Sequence, residues 1–258
     1  MSGIFRRHWP GAPDRPALAL HCMLASGSYW GAIAARLGGR VDLRGFDMPG
    51  HGRSGPWVPG PEDPDFHTAV TRIAASFIDR PLDLIGHSLG ATVALRIAIA
   101  APEALRSLTL IEPVLFAAVS DPVQDARDAE MAALLAAGRD DQATRAFMAA
   151  WGAQGYDDLP PPARAQMRAR IGLVAASVPT LSGDSAGLLR PGGLEAIDAP
   201  VLLISGTQSP PVIHAITDAL AARLSDVGRA QVPGAGHMLP ITHPDEVAGL
   251  IAVNLDRG

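Results

Sequence analysis

The sequence predicts an α/β protein with a mostly parallel central sheet flanked by helices, and with an inserted helical segment. Short apolar runs of strand length alternate with amphipathic segments of helix length along most of the chain. Strands that are apolar throughout are typical of a parallel sheet that is covered on both faces. Between Pro113 and Pro200 the alternation stops and no convincing strand occurs. A stretch of about 85 residues is too long for a loop inside a compact domain, so we expect a helical insertion.

The strands are predicted from short runs bounded by polar residues or turns. In chain order they are 17–22, 41–46, 82–86, 107–111, 201–205 and, more weakly, 227–232. Helices are predicted between them at 31–37, 66–79, 89–100 and 244–255. The second helix shows apolar residues at helical spacing, and the third is closed by Pro102. The last carries Asp245 and Glu246 in its first turn, where the helix dipole favours acids.

The segment without strands holds helical runs near 126–137, 142–151 and 164–176. Its large apolar side chains need burial, which argues against disorder. We therefore expect a core domain made of residues 1–112 and 200–258, with residues 113–199 inserted as a helical cap or lid.

Composition excludes several classes of function. The chain has 258 residues, of which 48% are hydrophobic and 18% charged, so it is long and apolar enough for a large core. A net charge of −5 gives no reason to expect nucleic acid or an anionic membrane as a partner. Every basic side chain is arginine, which excludes Schiff-base lysine chemistry. The single cysteine, Cys22, excludes an internal disulfide and a thiolate-clustered metal site.

Two further patterns bear on where the protein is found. Arg6-Arg7 is not followed by the apolar run that an export signal needs, so we interpret the pair as surface charge. No stretch approaches the ~18 uninterrupted apolar residues of a membrane-spanning helix. We expect a soluble, cytoplasmic protein; the pattern does not indicate an oligomeric state.

Ser88 is the candidate nucleophile. The run Gly86-His87-Ser88-Leu89-Gly90 matches G-x-S-x-G, and it lies where a predicted strand gives way to a predicted helix. In that context glycines on both sides permit a tight turn that holds the serine hydroxyl clear of the sheet, beside the first N–H groups of the helix. The alternative is an ordinary turn in which Ser88 only caps the helix.

The chain resembles an α/β-hydrolase with a helical cap, over nearly its whole length. Besides the serine turn, the resemblance rests on four stretches: residues 18–30, 47–54, 111–116 and 234–237. It implies the α/β-hydrolase fold, a serine nucleophile with an acid and a histidine, and no cofactor or metal. In the stretch 47–54, Asp47 and His51 are expected to hold the scaffold rather than to react.

His237 is the candidate base. A serine hydroxyl becomes a good nucleophile only when an imidazole removes its proton during attack. His237 follows the last predicted strand in a glycine-rich loop and matches the family's histidine, after the nucleophile in chain order. His243 competes but is expected near a helix start. His87 is expected to be structural and to point to the opposite side of the turn. The remaining histidines are expected on the surface, at positions 8, 67 and 214, or in the scaffold, at position 21.

The position of the acidic residue that would pair with His237 differs from the pattern of many relatives. Those relatives carry an aspartate after the strand that follows the cap. Here the loop 206–211 contains no carboxylate, and Asp218 lies too far along the next helix. Some relatives instead place a glutamate after the strand that follows the nucleophile helix, and Glu112 stands at that position. A charge that ends an apolar strand needs a partner, which an imidazolium would supply. The alternative is a Glu112 that pairs with an arginine or faces water.

Two backbone N–H groups are expected to stabilise an oxyanion. Leu89 supplies one by its place after the nucleophile. Relatives usually show His-Gly-x after the first major strand, with x as the second donor, so Met23 is the candidate. Cys22 replaces that glycine, which leaves the conformation of the loop open, and we interpret it as a small buried hydrophobe. An apolar substrate pocket is expected nearby, with candidate lining residues Met23, Leu24, Phe116, Met148, Trp151 and Met238.

These residues predict a cofactor-independent serine hydrolase that cleaves small carboxylic esters with an apolar portion, through an acyl-enzyme intermediate. The same groups could serve a thioesterase, a lactonase, a C–C bond hydrolase or a cofactor-free perhydrolase. A serine at the turn argues against a haloalkane dehalogenase, which the resemblance would otherwise allow. A different class of function, a non-catalytic module that binds ligands, also remains open.

Overall fold

The computed structural model describes residues 3–258, which form a seven-stranded sheet with apolar clusters on both faces. The strands are β1 (Arg6–Trp9), β2 (Pro16–Leu20), β3 (Asp42–Phe46), β4 (Leu82–His87), β5 (Leu105–Ile111), β6 (Val201–Gly206) and β7 (Val227–Val232). Their order is β1-β3-β2-β4-β5-β6-β7, and all neighbours are parallel except β1 and β3. The predicted α/β architecture with a mostly parallel sheet is confirmed.

Ten helices accompany the sheet in the described part of the chain. Those around the sheet are α1 (Trp30–Leu37), α2 (Phe66–Ala75), α3 (Leu89–Ala100), α8 (Pro211–Ala221), α9 (Leu239–Thr242) and α10 (Pro244–Leu255). Helices α1 and α10 pack against each other on one face, where Trp30, Ile33 and Ile251 are fully buried. Helices α2, α3 and α8 belong to the larger cluster on the opposite face.

Strand β1 is the element that the sequence analysis missed. It is a four-residue edge strand, antiparallel to β3, in which only alternate residues are half-buried. A run of Arg-Arg-His-Trp lacks the apolar pattern that indicates a strand. The pairing also corrects the interpretation of Arg6-Arg7 as surface charge: Arg6 is exposed, but the half-buried Arg7 binds Asp47 through two hydrogen bonds of 2.8 Å.

The segment between β5 and β6 contains four helices and no strand. They are α4 (Pro122–Ala136), α5 (Asp140–Trp151), α6 (Pro161–Arg168) and α7 (Gly172–Leu181), so the predicted run 164–176 is divided into two helices. Helix α4 packs on α5 and α7, and α7 reaches α2 beside the sheet. Met131, Trp151 and Leu181 of this segment share one apolar cluster with the sheet residues. The division into a core domain and a separate cap therefore stays a prediction.

The sheet brings three distant parts of the chain to one edge. Strands β4, β5, β6 and β7 are parallel, so their carboxyl ends lie at the same edge. Ser88 and Glu112 directly follow β4 and β5, and His237 lies in the loop after β7. In open α/β sheets, ligands bind in the crevice at this edge.

Candidate active site

Ser88 occupies a strained turn between β4 and α3. Its backbone has φ 56° and ψ −118°, a conformation that residues other than glycine rarely adopt outside functional sites. The flanking glycines are required by close contacts. A Cβ on Gly86 would lie 2.3 Å from the carbonyl oxygen of Gly90, and one on Gly90 would lie 2.3 Å from that of Leu20. The turn therefore holds the Ser88 hydroxyl just beyond the end of β4, outside the paired residues of the sheet.

Ser88, His237 and Glu112 are joined by two hydrogen bonds. The distance from Ser88 Oγ to His237 Nε2 is 3.0 Å, and that from His237 Nδ1 to Glu112 Oε2 is 2.9 Å. Because a carboxylate oxygen can only accept, Nδ1 carries the proton and donates it to Glu112. Nε2 is then free to accept from the Ser88 hydroxyl. The structure thus brings together the three residues predicted as nucleophile, base and acid, and it gives the imidazole the tautomer that a general base needs.

Glu112 is fully buried, and three groups donate to its carboxylate. Oε1 accepts from the backbone N–H of Gly206 at 2.8 Å and from the hydroxyl of Ser209 at 2.7 Å, while Oε2 accepts from His237. The residue has φ 51°, which turns the chain sharply after β5. A buried carboxylate needs this degree of pairing. The sequence does not single out Gly206 or Ser209, because only the folded chain brings these two donors to Glu112.

His87 contacts both His237 and Tyr29. Its side chain was expected to point to the opposite side of the turn. In the structure it is buried, its Nε2 donates to the backbone carbonyl of His237 at 2.8 Å, and the two rings are 5.3 Å apart. Its Nδ1 lies 3.0 Å from the hydroxyl of Tyr29. Burial, and then the neighbouring His237, hold the pKa of His87 well below its usual range, so the ring stays neutral.

Trp151 at the end of α5 packs against the His237 imidazole. The ring centroids are 4.8 Å apart in an edge-to-face arrangement, and Phe116 lies 5.8 Å from the indole. Trp151 itself is buried. The helical segment between β5 and β6 therefore contributes directly to the environment of the histidine.

In the loop that follows β2, the Met23 N–H group is not used by the hydrogen bonds that hold the loop. The Cys22 N–H donates to Tyr29 Oη at 3.1 Å, and the Leu24 N–H donates to His51 Nε2 at 3.1 Å. Between them, the Met23 N–H has no acceptor among residues 3–258, and the same holds for the Leu89 N–H at the start of α3. Both residues line the cavity that contains Ser88. Cys22 in place of a glycine is thus accommodated, and burial raises the pKa of its thiol to about 12.

Residues of the stretch 47–54, together with His21, hold this loop and its neighbours through hydrogen bonds. This structural role is the one predicted for Asp47 and His51. The Asp47 carboxylate accepts from Arg7 and from the backbone N–H groups of Gly27 and Arg53, both at 2.9 Å. His21 Nε2 accepts from the Met48 N–H at 2.8 Å. Leu24 has φ 60°, so the loop is held in a strained conformation by its hydrogen bonds.

A cavity of about 370 Å³ opens above Ser88 and His237, between the sheet edge and helices α4, α5 and α7. Most of its lining is apolar, and it includes Met23, Val114, Phe116, Met131, Phe147 and Trp151. Helix α4 also contributes polar side chains, namely Gln124, Arg127, Asp128 and Glu130. The volume and the mainly apolar wall are typical of a site for a small molecule.

Three residues predicted for the pocket lie elsewhere. Leu24 is buried in the core cluster, and the Met148 terminal methyl lies against Gly152 at the end of α5. The Met238 sulfur lies 4.0 Å from the Cys22 sulfur. Periodicity identified α5 as apolar but did not show which of its residues face the cavity. Met23, Phe116 and Trp151 do line it.

Other candidates from the sequence lie away from the serine. Asp218 is exposed on α8 and pairs with Arg229, and His243 is the N-cap residue of α10. The prediction that His67 lies on the surface was wrong. It is buried between α2 and α3, with Nε2 3.1 Å from Thr92 Oγ1 and Nδ1 3.2 Å from an Arg96 nitrogen.

The fold is that of the α/β-hydrolases, and the comparison with protein families agrees. Residues 17–250 match the model of the alpha/beta hydrolase family, so the chain belongs to that family. A solved structure that it resembles is MGS-M2, an alpha/beta hydrolase enzyme from a Medee basin deep-sea metagenome library. The TM-score is 0.79 at 16% identity, and the alignment covers 99% of this chain and 94% of that one. At this identity the likeness shows the fold alone.

Two curated relatives extend the comparison. The chain is 29% identical over 234 residues to the pimeloyl-[acyl-carrier protein] methyl ester esterase of Methylococcus capsulatus, covering 87% of this chain and 88% of the relative. It is 32% identical over 109 residues to lipase LipV of Mycobacterium tuberculosis, covering 42% of this chain. The chain spans only 40% of the length of LipV in that match.

Among residues 3–258, no helix combines the length and apolar character needed to cross a bilayer. In the same part of the chain, no group of three or more His, Cys, Asp or Glu residues is placed to hold a metal ion.

Proposed function

We propose that this protein is a serine hydrolase that cleaves small carboxylic esters through an acyl-enzyme intermediate. The observation that carries the proposal is the continuous hydrogen-bond chain from Ser88 through His237 to Glu112, which opens into an apolar cavity. Membership of the alpha/beta hydrolase family, and relatives named as an esterase and a lipase, support it.

In the first step, Ser88 Oγ attacks the ester carbonyl while His237 Nε2 takes its proton. The 3.0 Å separation of these atoms is within the range for direct proton transfer. Glu112 holds the Nδ1–H tautomer and stabilises the imidazolium that forms, without taking the proton itself. His237 then protonates the leaving alcohol, which departs and leaves an acyl group on Ser88.

The tetrahedral intermediate carries a negative charge on the former carbonyl oxygen. The free N–H groups of Met23 and Leu89 are the donors we assign to it, since both residues line the cavity beside Ser88. Each such donor contributes about 3–4 kcal/mol to the stabilisation of a transition state of this kind. In the second half of the reaction, His237 activates a water molecule that attacks the acyl-enzyme and releases the carboxylic acid.

The cavity limits the size of the substrate. Its volume of about 370 Å³ lies near the lower end of the range for small-molecule sites. We therefore expect short acyl chains, such as acetyl and butyryl, to be cleaved better than palmitoyl.

The experiment is hydrolysis of p-nitrophenyl acetate, butyrate and palmitate, with thioesters and lactones of matched size in the same panel. Wild-type protein should turn over the short esters. Ser88→Ala should reduce turnover to background, and Ser225→Ala, a matched change at an exposed serine, should not alter it. Equal turnover by Ser88→Ala and wild type would contradict the proposal, and a clear preference for thioesters would move it to a thioesterase.

A function in ligand binding alone is separated by chemical labelling. A catalytic serine reacts with a fluorophosphonate because the base activates its hydroxyl, whereas a serine in a binding module does not. Absence of labelling in correctly folded protein would favour the binding module.

A further inference from the structure

A second chain of hydrogen bonds lies beside Ser88, His237 and Glu112, and the proposed mechanism does not use it. It begins at the backbone N–H of Cys22, which donates to Tyr29 Oη at 3.1 Å. It continues from the Tyr29 hydroxyl to His87 Nδ1 at 3.0 Å and ends where His87 Nε2 contacts the backbone carbonyl of His237 at 2.8 Å.

Every bond in this chain has a determined direction. The carbonyl oxygen of His237 can only accept, so His87 Nε2 carries the proton. In the neutral ring Nδ1 must then accept, and it takes the Tyr29 hydroxyl proton. The Tyr29 oxygen keeps a lone pair for the Cys22 N–H. Protonation of His87 would reverse the middle bond, but burial and the neighbouring His237 hold its pKa well below its usual range.

The two ends of this hydrogen-bond chain lie next to two groups of the proposed mechanism, an oxyanion donor and the base. Cys22 directly precedes Met23, whose free N–H we assign to the oxyanion. The His237 carbonyl belongs to the residue whose imidazole we assign as base. Tyr29 and His87 come from different elements, the turn before α1 and the end of β4, and both side chains point toward each other.

We propose that Tyr29 and His87 are positioning residues, which set the location of the His237 base relative to the Met23 N–H. The inference rests on the proposed function. Neither side chain touches the Ser88 hydroxyl by a hydrogen bond, so their effect is transmitted through the backbone at residues 22 and 237. Misplacement of a catalytic group by about 1 Å can cost ~100-fold in rate.

The test uses three changes at position 87. His87→Leu removes both hydrogen bonds. His87→Asn can still accept from Tyr29 but is too short to reach the His237 carbonyl. His87→Gln places an amide N–H near the position of Nε2 and keeps an acceptor for Tyr29. We expect kcat for p-nitrophenyl butyrate to fall by about 10- to 100-fold in the Leu and Asn variants, with KM within about twofold of wild type. The Gln variant should recover to within about threefold of wild type.

Tyr29→Phe provides an independent variant that leaves the sequence of the serine turn, residues 86–90, unchanged. We expect kcat to fall by about 5- to 20-fold. In the double variant Tyr29→Phe/His87→Leu, the loss of kcat should be smaller than the product of the two single losses. Both changes interrupt the same chain of hydrogen bonds. His214→Leu, at a histidine on α8 away from Ser88, is the control for loss of a histidine.

Thermal unfolding and side-chain ¹⁵N NMR separate positioning from a general effect on folding. Kinetics are compared only for variants that melt cooperatively. NMR of the wild type should show His87 as the Nε2–H tautomer from pH 5 to 8. A His87→Leu variant with wild-type kcat, a His87→Gln variant no better than His87→Leu, or an Nδ1–H tautomer would each overturn the inference. If the wild type hydrolysed no ester, the proposed function would fail. The tautomer, and displacement of His237 in a crystal structure of His87→Leu, would still test the hydrogen-bond chain.

Discussion

The Ser209 hydroxyl donates to Glu112 Oε1 at 2.7 Å, and this bond links the loop after β6 to the carboxylate after β5. The family resemblance places an aspartate in that loop in many relatives. Here the loop supplies a serine and the Gly206 N–H as donors, while Glu112 reaches His237 from the neighbouring strand. In this chain the carboxylate therefore follows β5, and the loop after β6 supplies two of its hydrogen-bond donors.

The first prediction concerns Glu112. In Glu112→Gln the amide cannot stabilise an imidazolium, and it can hold His237 in the wrong tautomer. We expect kcat/KM for p-nitrophenyl butyrate to fall by about 10³- to 10⁴-fold. Asp218→Asn is the matched control, since Asp218 is exposed and pairs with Arg229, and it should leave kcat/KM unchanged. Near-normal rates for Glu112→Gln would remove Glu112 from the mechanism.

The second prediction concerns Ser209. Ser209→Ala deletes one of three donors to a fully buried carboxylate, and a lost hydrogen bond to a charged group costs about 1.5–3 kcal/mol. We expect a smaller loss of kcat than in Glu112→Gln, about 5- to 50-fold, together with a lower melting temperature. In Glu112→Gln the same Ser209→Ala change should have much less effect on kcat, because the charge it supports is already absent. Additive losses in the double variant would show that Ser209 acts by another route.

The extent to which the sequence predicts this site depends on the kind of interaction. Ser88, Glu112 and His237 are recognisable because each follows a strand, and parallel strands bring their ends to one edge. Strand β1 was missed because an edge strand needs no apolar run. The local pattern also could not show that His67 is buried, since its burial depends on the packing of α2 against α3.

Contacts between distant loops were the least predictable features. Ser209 and Tyr29 are ordinary loop residues by sequence, and only the folded chain brings them to Glu112 and His87. The pocket shows the same limit. Trp151 and Met148 are both apolar residues of α5, but only the three-dimensional packing determines that Trp151 faces His237.

The third prediction concerns backbone strain at Ser88. With φ 56° and ψ −118°, this position favours glycine over any residue with a Cβ. Ser88→Gly and Ser88→Ala should both lack activity, but Ser88→Gly should be more stable than Ser88→Ala by about 1–2 kcal/mol, within the range of such strain. Chemical denaturation of the two variants measures the difference. Equal stability would mean that the turn is not strained.

The fourth prediction concerns Trp151, which packs on the His237 imidazole and lines the cavity. In Trp151→Ala an apolar wall is lost, and burial of an aromatic side chain contributes about 1.5–3 kcal/mol. We expect kcat/KM for p-nitrophenyl butyrate to fall by about 10-fold or more, mainly through KM. Trp151→Phe keeps an aromatic ring and should lose much less. A pure kcat effect in Trp151→Ala would instead indicate a role in orienting His237.

The fifth prediction concerns acid stability. Burial lowers the pKa of His21 to about 3 and that of His51 and His67 to about 4. In the unfolded chain these residues titrate near 6.5, so between pH 6.5 and 4.5 the unfolded state binds more protons than the folded state. The free energy of unfolding should therefore fall as the pH decreases through this window, by up to about 1.4 kcal/mol per pH unit for each histidine.

His67→Gln tests this most cleanly because His67 lies away from Ser88. It should reduce the slope of the free energy of unfolding against pH by about one proton. Urea unfolding at half-unit steps between pH 7 and 4.5 gives the slope for both proteins. An identical slope in wild type and variant would show that His67 does not contribute.

The most direct measurement is mass spectrometry of the protein after rapid acid quenching during turnover of p-nitrophenyl butyrate. An acyl-enzyme on Ser88 should add one butyryl group per chain, located on the peptide that contains Ser88 and absent from Ser88→Ala. It should accumulate further in Glu112→Gln if deacylation is slowed more than acylation. Turnover without any adduct on Ser88, or an adduct on a different residue, would contradict the account.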